Sequence, residues 1–484
     1  MAASVGLPNR ENGGTRCLSD LRTSKARLSL LRDGTGLRRH WKGTLNMKSN
    51  QNSQSLAKRL TVFFGLAYFC QMIAQATGVI SQPLDFYFKQ ALGLNPAQAT
   101  EYLAILTLPW VIKPLYGLLS DFIPIFGYRR KSYFLILSAM AAAAFAWLSG
   151  LTAPAQMVTA LLVSAFGVAF CDVITDAVMV ENGQTLDKEL TDQGKEPVWV
   201  KKFQSTQWLC ASIASLVAAF IGSRLCVWFP AHQAVHIAAL VVMIAPISVM
   251  VVAWFFIKEQ KAKINLPELK TTARGYTSVF KSKAIWIVVA FLFFWNFSPS
   301  FGMPFYYHMV DNLKFSQDFI GNMGMVGSIG SIVGAAFFGK LLTGRMNTKQ
   351  LIILSIVLGT AGTLGYLLLT GHMSALILSF LFGIAGMIAN LTILGLAGEH
   401  CPKHAEGFTF AALMSVINFS TQLSAIIGSR LYVNVFHNHL TPLIWVSAAF
   451  TAAAIVLVPF LPKPVEYSDE PKDGSKPDSK DSSK

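Results

Sequence analysis

The segment Pro83–Asn95 (PLDFYFKQALGLN) has a counterpart in Pro304–Ser316 (PFYYHMVDNLKFS), which begins 221 residues further along the chain. A second pair, IGSRL, occurs at Ile221–Leu225 and again at Ile427–Leu431, 206 residues apart. A third pair, FGVA and FGIA, lies 216 residues apart, and its members keep the same order in the chain. Three matches in one order predict that the chain contains two copies of one structural unit.

The composition indicates that this duplicated chain is a membrane protein. Of the 484 residues, 53% are hydrophobic and only 13% are charged, with a mean hydropathy of +0.47. A soluble protein carries about 25% charged residues, so this chain has too few to cover a water-facing surface. Twelve apolar segments are each long enough to cross a bilayer, where the backbone must be helical. They are residues 60–82, 97–120, 132–151, 156–180, 203–225, 234–257, 284–308, 317–342, 350–370, 373–397, 407–435 and 440–462.

Each repeat relates a span of the first half, namely span 1, 4 or 5, to the span six places later. Two parallel six-helix halves with a substrate site at the bilayer midplane are typical of major-facilitator transporters. We therefore expect an all-α integral membrane protein with the major-facilitator fold and twelve transmembrane helices in two pseudo-symmetric bundles. Its parts are a basic tail or leader (1–59), a first bundle (60–257), a cytoplasmic linker (258–283), a second bundle (284–462) and a disordered tail (463–484).

The loops indicate the orientation in the membrane. Those after even-numbered spans hold 18 Lys and Arg residues, whereas those after odd-numbered spans hold two, with two more at helix ends. The positive-inside rule then predicts that both termini are cytoplasmic. The Arg- and Ser-rich leader is typical of a disordered tail, an extension before a start at Met47, or an organelle transit peptide. We expect a monomer in a bacterial inner membrane, with a plastid envelope as the alternative.

The fourth span carries two carboxylates, Asp172 and Asp176, in FCDVITDAVMVENGQ. They are four residues apart and share a helix face, and ionisable groups inside a span are costly enough to indicate function. Two such acids in a low dielectric do not both stay ionised easily, so we expect one to hold a proton near neutral pH. This predicts a proton- or cation-coupled carrier, with a structural salt bridge as the alternative.

Lys113, in LPWVIKPLYG, is the natural counter-charge. Pro109 and Pro114 flank it and are expected to loosen the helix. The ammonium is expected to pair with Asp176 or to bind an anionic substrate group, and the alternative is snorkelling to the membrane interface.

Polar amides in the first span are further candidates. Gln71 and Gln75 lie four residues apart, ahead of an expected unwinding at Pro83. Such amides either join helices, at about 1 kcal/mol each, or contact the ligand, and the sequence leaves both open.

The seventh span, FLFFWNFSPSFGMPFYYH, interrupts a run of aromatic residues with Asn296 and two prolines. Trp295, Phe301 and Tyr306 are candidates to stack on a flat aromatic ligand. For each ring, packing in the core or against lipid is the alternative.

The segment Gly117–Lys131 (GLLSDFIPIFGYRRK) resembles the Gly–Asp–Gly–Arg/Lys signature between spans two and three of major facilitators. The resemblance implies a gate-like ion network on the cytoplasmic face for Asp121, Arg129 and Arg130. The second-half counterpart, GKLLTGRMNTK, has Thr343 where Asp121 stands, so we expect a lopsided network.

Arg224 and Arg430 occupy equivalent places at the ends of the fifth and eleventh spans. We expect them to be paired anchors or gate residues near the outer face, away from a central site.

Two longer stretches, LPWVIKPLYGLLSDFIPIFGYRRKSYFL and DVITDAVMVE, resemble the folate–biopterin transporter family, a branch of the major facilitators. The resemblance covers about residues 60–462 and implies uptake of folates, pterins or close relatives, driven by a proton gradient. A pterin edge would suit an aspartate, and the glutamate tail of a folate would suit Lys113. The family's motif residues correspond to Lys113, Asp121, Arg129, Arg130, Asp172, Asp176 and Glu181.

Other classes of function are less well supported. The basic residues lie between apolar segments and in the N-terminal tail, so they do not indicate a nucleic-acid partner. The sequence has neither a phosphate-binding Gly-rich loop nor a His-Glu-x-x-His metal site, so we expect no cofactor, no metal and no enzymatic activity. The alternatives are a carrier of another organic solute, such as an amino acid or a nucleoside, and then a channel or a polytopic membrane enzyme.

Overall fold

The computed structural model describes residues 34–192, 194, 198–259, 261, 279, 281–401 and 406–462. Side chains are described from residue 54 onward, except that of Glu406. Most of the predicted linker, the predicted C-terminal tail and residues 1–33 of the predicted leader therefore lie outside the described residues. Residues 34–59 belong to the first helix.

The described residues form sixteen α-helices. In chain order they are α1 (Gly34–Ala74), α2 (Ser81–Gln90), α3 (Pro96–Ile105), α4 (Leu108–Val111), α5 (Lys113–Phe122), α6 (Lys131–Leu148), α7 (Pro154–Thr191), α8 (Trp199–Trp228), α9 (Ala231–Phe256), α10 (Lys283–Asn296), α11 (Gly302–Asp311), α12 (Gln317–Phe337), α13 (Thr348–Gly365), α14 (His372–Glu399), α15 (Glu406–Arg430) and α16 (Leu440–Ala453).

Ten helices of the described part, some with short π- or 3-10 extensions, are long and apolar enough to cross a membrane. Two of the twelve predicted spans are not among the ten, because each is built from shorter helices. The second span consists of α3, α4 and α5, and the seventh consists of α10 and α11. Interrupted spans are typical of transporter folds, since irregular backbone at membrane depth is tolerated only where protein or a water-filled cavity surrounds it.

The break in the first span corrects the expectation that this span unwinds at Pro83. Pro83 does not unwind the first span, because the break covers residues 75–80 and Pro83 lies in the first turn of α2. Likewise Pro304 lies in the first turn of α11, after a break at residues 297–301. A proline is tolerated in a first turn because its missing N–H would have no partner within the helix. The second span has two breaks, one at residues 106–107 and one at Ile112, and the second of them lies between the two prolines that predicted it.

Contacts between helices follow the duplication. The fifth span (α8) packs against the eighth (α12), and the eleventh (α15) packs against α3, α4 and α5 of the second. The two contacts are equivalent in the duplication, because span 11 is the counterpart of span 5 and span 8 is the counterpart of span 2. This is expected for pseudo-symmetric halves. Within the second half, α12 and α14 approach closely because Gly330 and Gly383 each face the backbone of the opposite helix. A Cβ atom at either position would collide with a carbonyl oxygen of that helix. Small residues of this kind allow close packing of helices in membranes.

The two sides of the molecule differ in the chain connections that they carry. The basic side carries the chain connections after even-numbered spans, and the far side carries those after odd-numbered spans. α7 crosses from the far side, at Pro154, to the basic side, at Thr191.

A buried carboxylate cluster and the contacts that join the halves

α7 carries both predicted carboxylates on one face, one helical turn apart. Asp172 precedes Glu181, a surface residue on the basic side, by nine residues, which places it about 13 Å deeper along the helix axis. The side chain of Asp172 is 6% exposed. Both acids therefore lie inside the membrane-spanning part of the first half.

Asp172 has a charged and a neutral partner. Lys113 Nζ donates to Asp172 Oδ2 at 2.5 Å, and Gln71 Nε2 donates to Asp172 Oδ1 at 2.5 Å. The lysine side chain is 14% exposed, and its Nζ also lies 4.6 Å from the centre of the Trp110 ring. The break at Ile112 makes Lys113 the first residue of α5. The counter-charge is thus Lys113, as predicted, but its partner is Asp172 and not Asp176.

Asp176 has neutral partners. Tyr68 Oη donates to Asp176 Oδ1 at 2.5 Å, and the side chain of Gln207, which is 1% exposed, faces the same carboxyl group. In the described part of the chain no cation lies within ion-pair distance of Asp176. With both acids ionised, the cluster of Asp172, Asp176 and Lys113 carries one net negative charge, and a proton on Asp176 would make it neutral. Burial of an unbalanced charge is costly, so this arrangement suits reversible protonation.

The second half is bonded to the span that carries Lys113. Asn418 Nδ2 donates to the backbone oxygen of Trp110 at 3.1 Å, and Thr107 Oγ1 donates to Gln422 Oε1 at 2.8 Å. Both contacts join α15 to the broken part of the second span. A movement of α15 relative to the first half would therefore act on the backbone beside the lysine.

The other predicted ligand-site residues have different partners. Gln75 lies in the break of the first span and contacts Met72 Sδ, and Asn296 donates to the Leu292 carbonyl of its own helix. Trp295 is buried in an apolar cluster of the second half, and Tyr306 is bonded to Gln317 on the far side. In the part of the chain that the structure describes, none of these four side chains bonds to Asp172 or Asp176.

A cavity of about 670 Å³ lies beside the second, seventh, eleventh and twelfth spans. Its lining is apolar, with Val111, Trp286 and Phe293 among its residues. Neither carboxylate lines it, so this cavity is separate from the carboxylate cluster.

The basic side of the first half carries an ion network centred on Arg130. Its Nη2 donates to Asp121 Oδ1 at 2.6 Å and to Glu181 Oε1 at 2.5 Å, and its Nη1 donates to Ser120 Oγ at 2.7 Å. The sequence indicated the two acids and the arginine. It did not indicate Glu259, which lies at the start of the predicted linker.

Glu259 caps the N-terminus of α6. Its carboxylate accepts hydrogen bonds from the backbone N–H groups of Arg129, Arg130 and Lys131 at 2.7 to 3.1 Å. A carboxylate is stabilising at this end of a helix, where N–H groups lack partners within the helix. The chain that leaves α9 is thereby fixed to the loop between spans two and three.

The second half repeats part of this network, with a neutral donor in place of the cation. Thr348 and Glu399 stand 218 residues after Arg130 and Glu181, and Thr348 Oγ1 donates to Glu399 Oε1 at 2.6 Å. A hydroxyl group therefore takes the place of the guanidinium. Thr343, which stands where the first half has Asp121, donates to the backbone oxygen of Phe338 and offers no carboxylate to accept from a cation.

On the far side, ion pairs connect the two halves. Arg224 pairs with Asp318 and Arg430 pairs with Glu101, each at 2.7 Å. These two pairs are pseudo-symmetric equivalents, because the arginines stand 206 residues apart and the acids 217.

A third pair, Lys89 with Asp311 at 2.6 Å, joins the ends of α2 and α11. In addition, Thr100 Oγ1 and Ser429 Oγ lie 2.7 Å apart between the second and eleventh spans. The far side of the structure is therefore closed by contacts between the halves.

This arrangement of helices is the major-facilitator transporter fold. Solved structures with the same fold include the nucleoside transporter NupG (TM-score 0.60, 15% identity, covering 84% of this chain and 98% of that one) and a D-xylose-proton symporter (TM-score 0.61, 14% identity, 83% and 98%). The model of the BT1 family matches residues 75–480, so the chain belongs to this family of folate-biopterin transporters. Fold and family together make it a multi-pass membrane transporter and not an enzyme.

Curated relatives agree with this assignment. A folate-biopterin transporter of Synechocystis sp. is 29% identical over 378 residues, which cover 75% of this chain and 73% of the relative. A probable folate-biopterin transporter 6 of Arabidopsis thaliana is 27% identical (73% and 71% covered), and folate transporter 1 of Plasmodium falciparum is 24% identical (74% and 71%).

Proposed function

We propose that this protein is a secondary active transporter of folate- or pterin-type solutes that couples their movement to protons by alternating access. The observation that carries the proposal is the asymmetry of the acid pair. Asp172 is balanced by Lys113, whereas Asp176 has only neutral donors, so the cluster changes its net charge by one with a single proton. The curated relatives, which are named for folate and biopterin, support the substrate class.

The ion pair itself offers a binding mechanism. An anionic substrate group, such as the glutamate tail of a folate, would compete with Asp172 for the ammonium of Lys113. Asp172, released from the lysine, would then be free to accept the paired N–H donors of a pterin edge. Substrate and proton would thus be bound by neighbouring groups of one cluster, so that the binding of one would affect the binding of the other, as symport needs.

The closed far side supports alternating access. By the charge of the loops we propose that the basic side is cytoplasmic, so that the structure is closed toward the outside. Arg224 and Arg430 then stabilise the outer closure, and the Arg130 network with Asp121 and Glu181 acts at the cytoplasmic gate. Movement of the halves about the central cluster would expose it to each side in turn.

Uptake of labelled folate and labelled pterin, in a strain that lacks its own importer, tests the proposal. We expect saturable uptake of at least one of them, and its loss when a protonophore collapses the gradient. Saturable uptake of neither would refute the substrate class, and insensitivity to the protonophore would refute the coupling. Competition by unlabelled amino acids or nucleosides, with no competition by folate or pterin, would favour a carrier of another solute.

The role of Lys113 can be tested with the same two substrates. In Lys113→Met, KM for folate should rise more than KM for a pterin without a carboxylate tail. Pterin uptake by the same variant serves as the internal control for correct folding. An equal change for both substrates would exclude Lys113 as the site of the tail.

We also propose that the protein acts as a monomer in a bacterial inner membrane, with a plastid envelope as the alternative. Mass spectrometry of the mature N-terminus distinguishes the two. An intact leader, or an N-terminus at Met47 or Lys48, supports the bacterial membrane, and an N-terminus at another place within residues 3–59 supports the plastid.

A further inference from the structure

Trp110 links the second half of the molecule to the carboxylate cluster. Its backbone oxygen accepts a hydrogen bond from Asn418 Nδ2 at 3.1 Å, and the centre of its ring lies 4.6 Å from Lys113 Nζ. Lys113 Nζ in turn donates to Asp172 Oδ2 at 2.5 Å. A side chain of α15 thus bonds to the residue against which the ammonium of Lys113 packs.

The Trp110 carbonyl needs a donor from outside its own helix. In a continuous α-helix it would accept a hydrogen bond from the N–H group of residue 114. That residue is Pro114, which has no N–H group. Because α4 ends at Val111, the carbonyl also lies in a last turn, where oxygens lack partners within the helix. An unpaired carbonyl inside a membrane protein is costly, and Asn418 supplies the donor that Pro114 lacks.

The equivalent interface between the fifth and eighth spans is built differently. By the offset of 206 residues between the IGSRL repeats, the counterpart of Asn418 is Ser212 of α8. The hydroxyl group of Ser212 donates to the Trp208 carbonyl of its own helix. The helix that packs against α8 there, α12, contains no proline, so its carbonyls keep their helical donors. The donor from the opposite half is therefore a feature of the side that carries Lys113.

We propose that Asn418 is a positioning residue for Lys113, through which the second half holds the lysine in its ion pair. This inference rests on the proposed function, in which Lys113 binds an anionic substrate group. While α15 contacts the second span, the amide fixes the turn that presents the ammonium to Asp172. When alternating access moves α15 away, the Trp110 carbonyl loses its donor and the turn relaxes. The ammonium is then freer to leave Asp172 for the substrate.

The reactivity of the Lys113 amine reports this positioning. The experiment treats the purified full-length protein with acetic anhydride at constant pH and measures the acetylation rate of single lysines by mass spectrometry. An ion-paired, enclosed ammonium reacts slowly, because only a free, uncharged amine attacks the reagent. Lys89 is the internal reference, since it is ion-paired at 2.6 Å and its side chain is 12% exposed, against 14% for Lys113.

Asn418→Leu keeps the shape of the side chain and removes the donor. We expect it to raise the ratio of Lys113 acetylation to Lys89 acetylation about 2- to 10-fold, which is the equivalent of one hydrogen bond. Asn418→Ala is a second variant without a donor, in case the leucine disturbs folding. A general loosening of the structure would raise the acetylation of both lysines and leave their ratio unchanged.

Two further variants test whether the effect passes through the Trp110 carbonyl. Pro114→Ala restores an N–H group that this carbonyl can accept, so Asn418→Leu should change the ratio by less than about twofold in the Pro114→Ala background. Gln422→Leu is the matched control. It removes the neighbouring bond with Thr107 of the second span but leaves the Trp110 carbonyl its donor, so the ratio should not change.

An unchanged ratio in both Asn418 variants would overturn the proposal. So would an equal rise in Gln422→Leu, or an effect of Asn418→Leu that is as large in the Pro114→Ala background as in the wild-type protein. The assay contains no substrate. A failed uptake experiment would therefore leave its result valid, and an overturned role of Asn418 would leave the proposed transport to its own test.

Discussion

The ion pair between Lys113 and Asp172 gives a prediction that can be worked from the structure. Both side chains are almost buried, at 14% and 6% exposure, and Gln71 supplies the remaining hydrogen bond of the carboxylate. In Lys113→Met the acid keeps the amide and loses its only cation among the described residues. Removing one partner of a buried pair costs about 3–5 kcal/mol, because the other charge stays buried without compensation. The folding equilibrium should therefore fall by about two to four orders of magnitude.

The assay is reversible unfolding of the purified protein in mixed micelles, titrated with sodium dodecyl sulfate and followed by tryptophan fluorescence. A double-mutant cycle with Asp172→Asn isolates the pair. We expect Lys113→Met/Asp172→Asn to be more stable than Lys113→Met alone, since the double variant buries no charge at this place.

Lys89→Met is the matched control. It removes a lysine from an ion pair at 2.6 Å, but the partner, Asp311, is 55% exposed and can be solvated. Exposed pairs contribute about 0–1 kcal/mol, so the control should lose little stability. Equal losses in the two lysine variants, or a coupling energy for Lys113 and Asp172 below about 0.5 kcal/mol, would contradict the description of the cluster as a buried pair.

Three other predictions follow from the remaining contacts. Arg224→Gln and Arg430→Gln should each raise maleimide labelling of Cys226, a buried thiol near the far-side end of α8, by about 1.5- to 5-fold, because the two partly exposed ion pairs are pseudo-symmetric equivalents. A change in only one of the two variants would contradict the symmetry. Arg130→Gln leaves two carboxylates without their shared cation and should lower unfolding stability by about 1–3 kcal/mol, whereas unchanged stability would exclude a structural network. Gly383→Val places a side chain against the backbone of Gly327 and should prevent recovery of monodisperse protein in size-exclusion chromatography, while normal recovery would show that α12 and α14 can separate.

The fold could be predicted from the sequence in most of its parts because membrane spans leave strong signals. Apolar length alone gives the twelve segments, and three repeats give their order in two halves. The position of the first break could not be predicted from Pro83, since a proline is equally compatible with the first turn of a new helix as with the end of an old one.

The carboxylate cluster could be predicted only in part. Asp172, Asp176 and Lys113 were indicated because charges inside spans are rare. Tyr68 was missed, although it lies three residues before Gln71 on the same helix face and this spacing was a usable signal. The choice of Asp172 over Asp176 as the partner of the lysine depends on the angle between α5 and α7, which no local pattern encodes.

Contacts between sequence-distant residues were the hardest to foresee. Glu259 caps α6 from the start of the predicted linker, 128 residues from Lys131, and nothing in its surroundings in the sequence marks that role. The pairing of Arg224 with Asp318 likewise depends on how α8 meets α12. The repeats revealed that the two arginines are equivalent, but not which acids they face.

The most direct test of the central claim measures Asp176→Asn in sealed proteoliposomes with an imposed proton gradient. The account predicts that the wild-type protein accumulates labelled substrate above its external concentration. Asp176→Asn should still exchange internal for external substrate but should no longer accumulate it, because the amide cannot take up and release the coupling proton. Accumulation by Asp176→Asn equal to that of the wild-type protein would contradict the account.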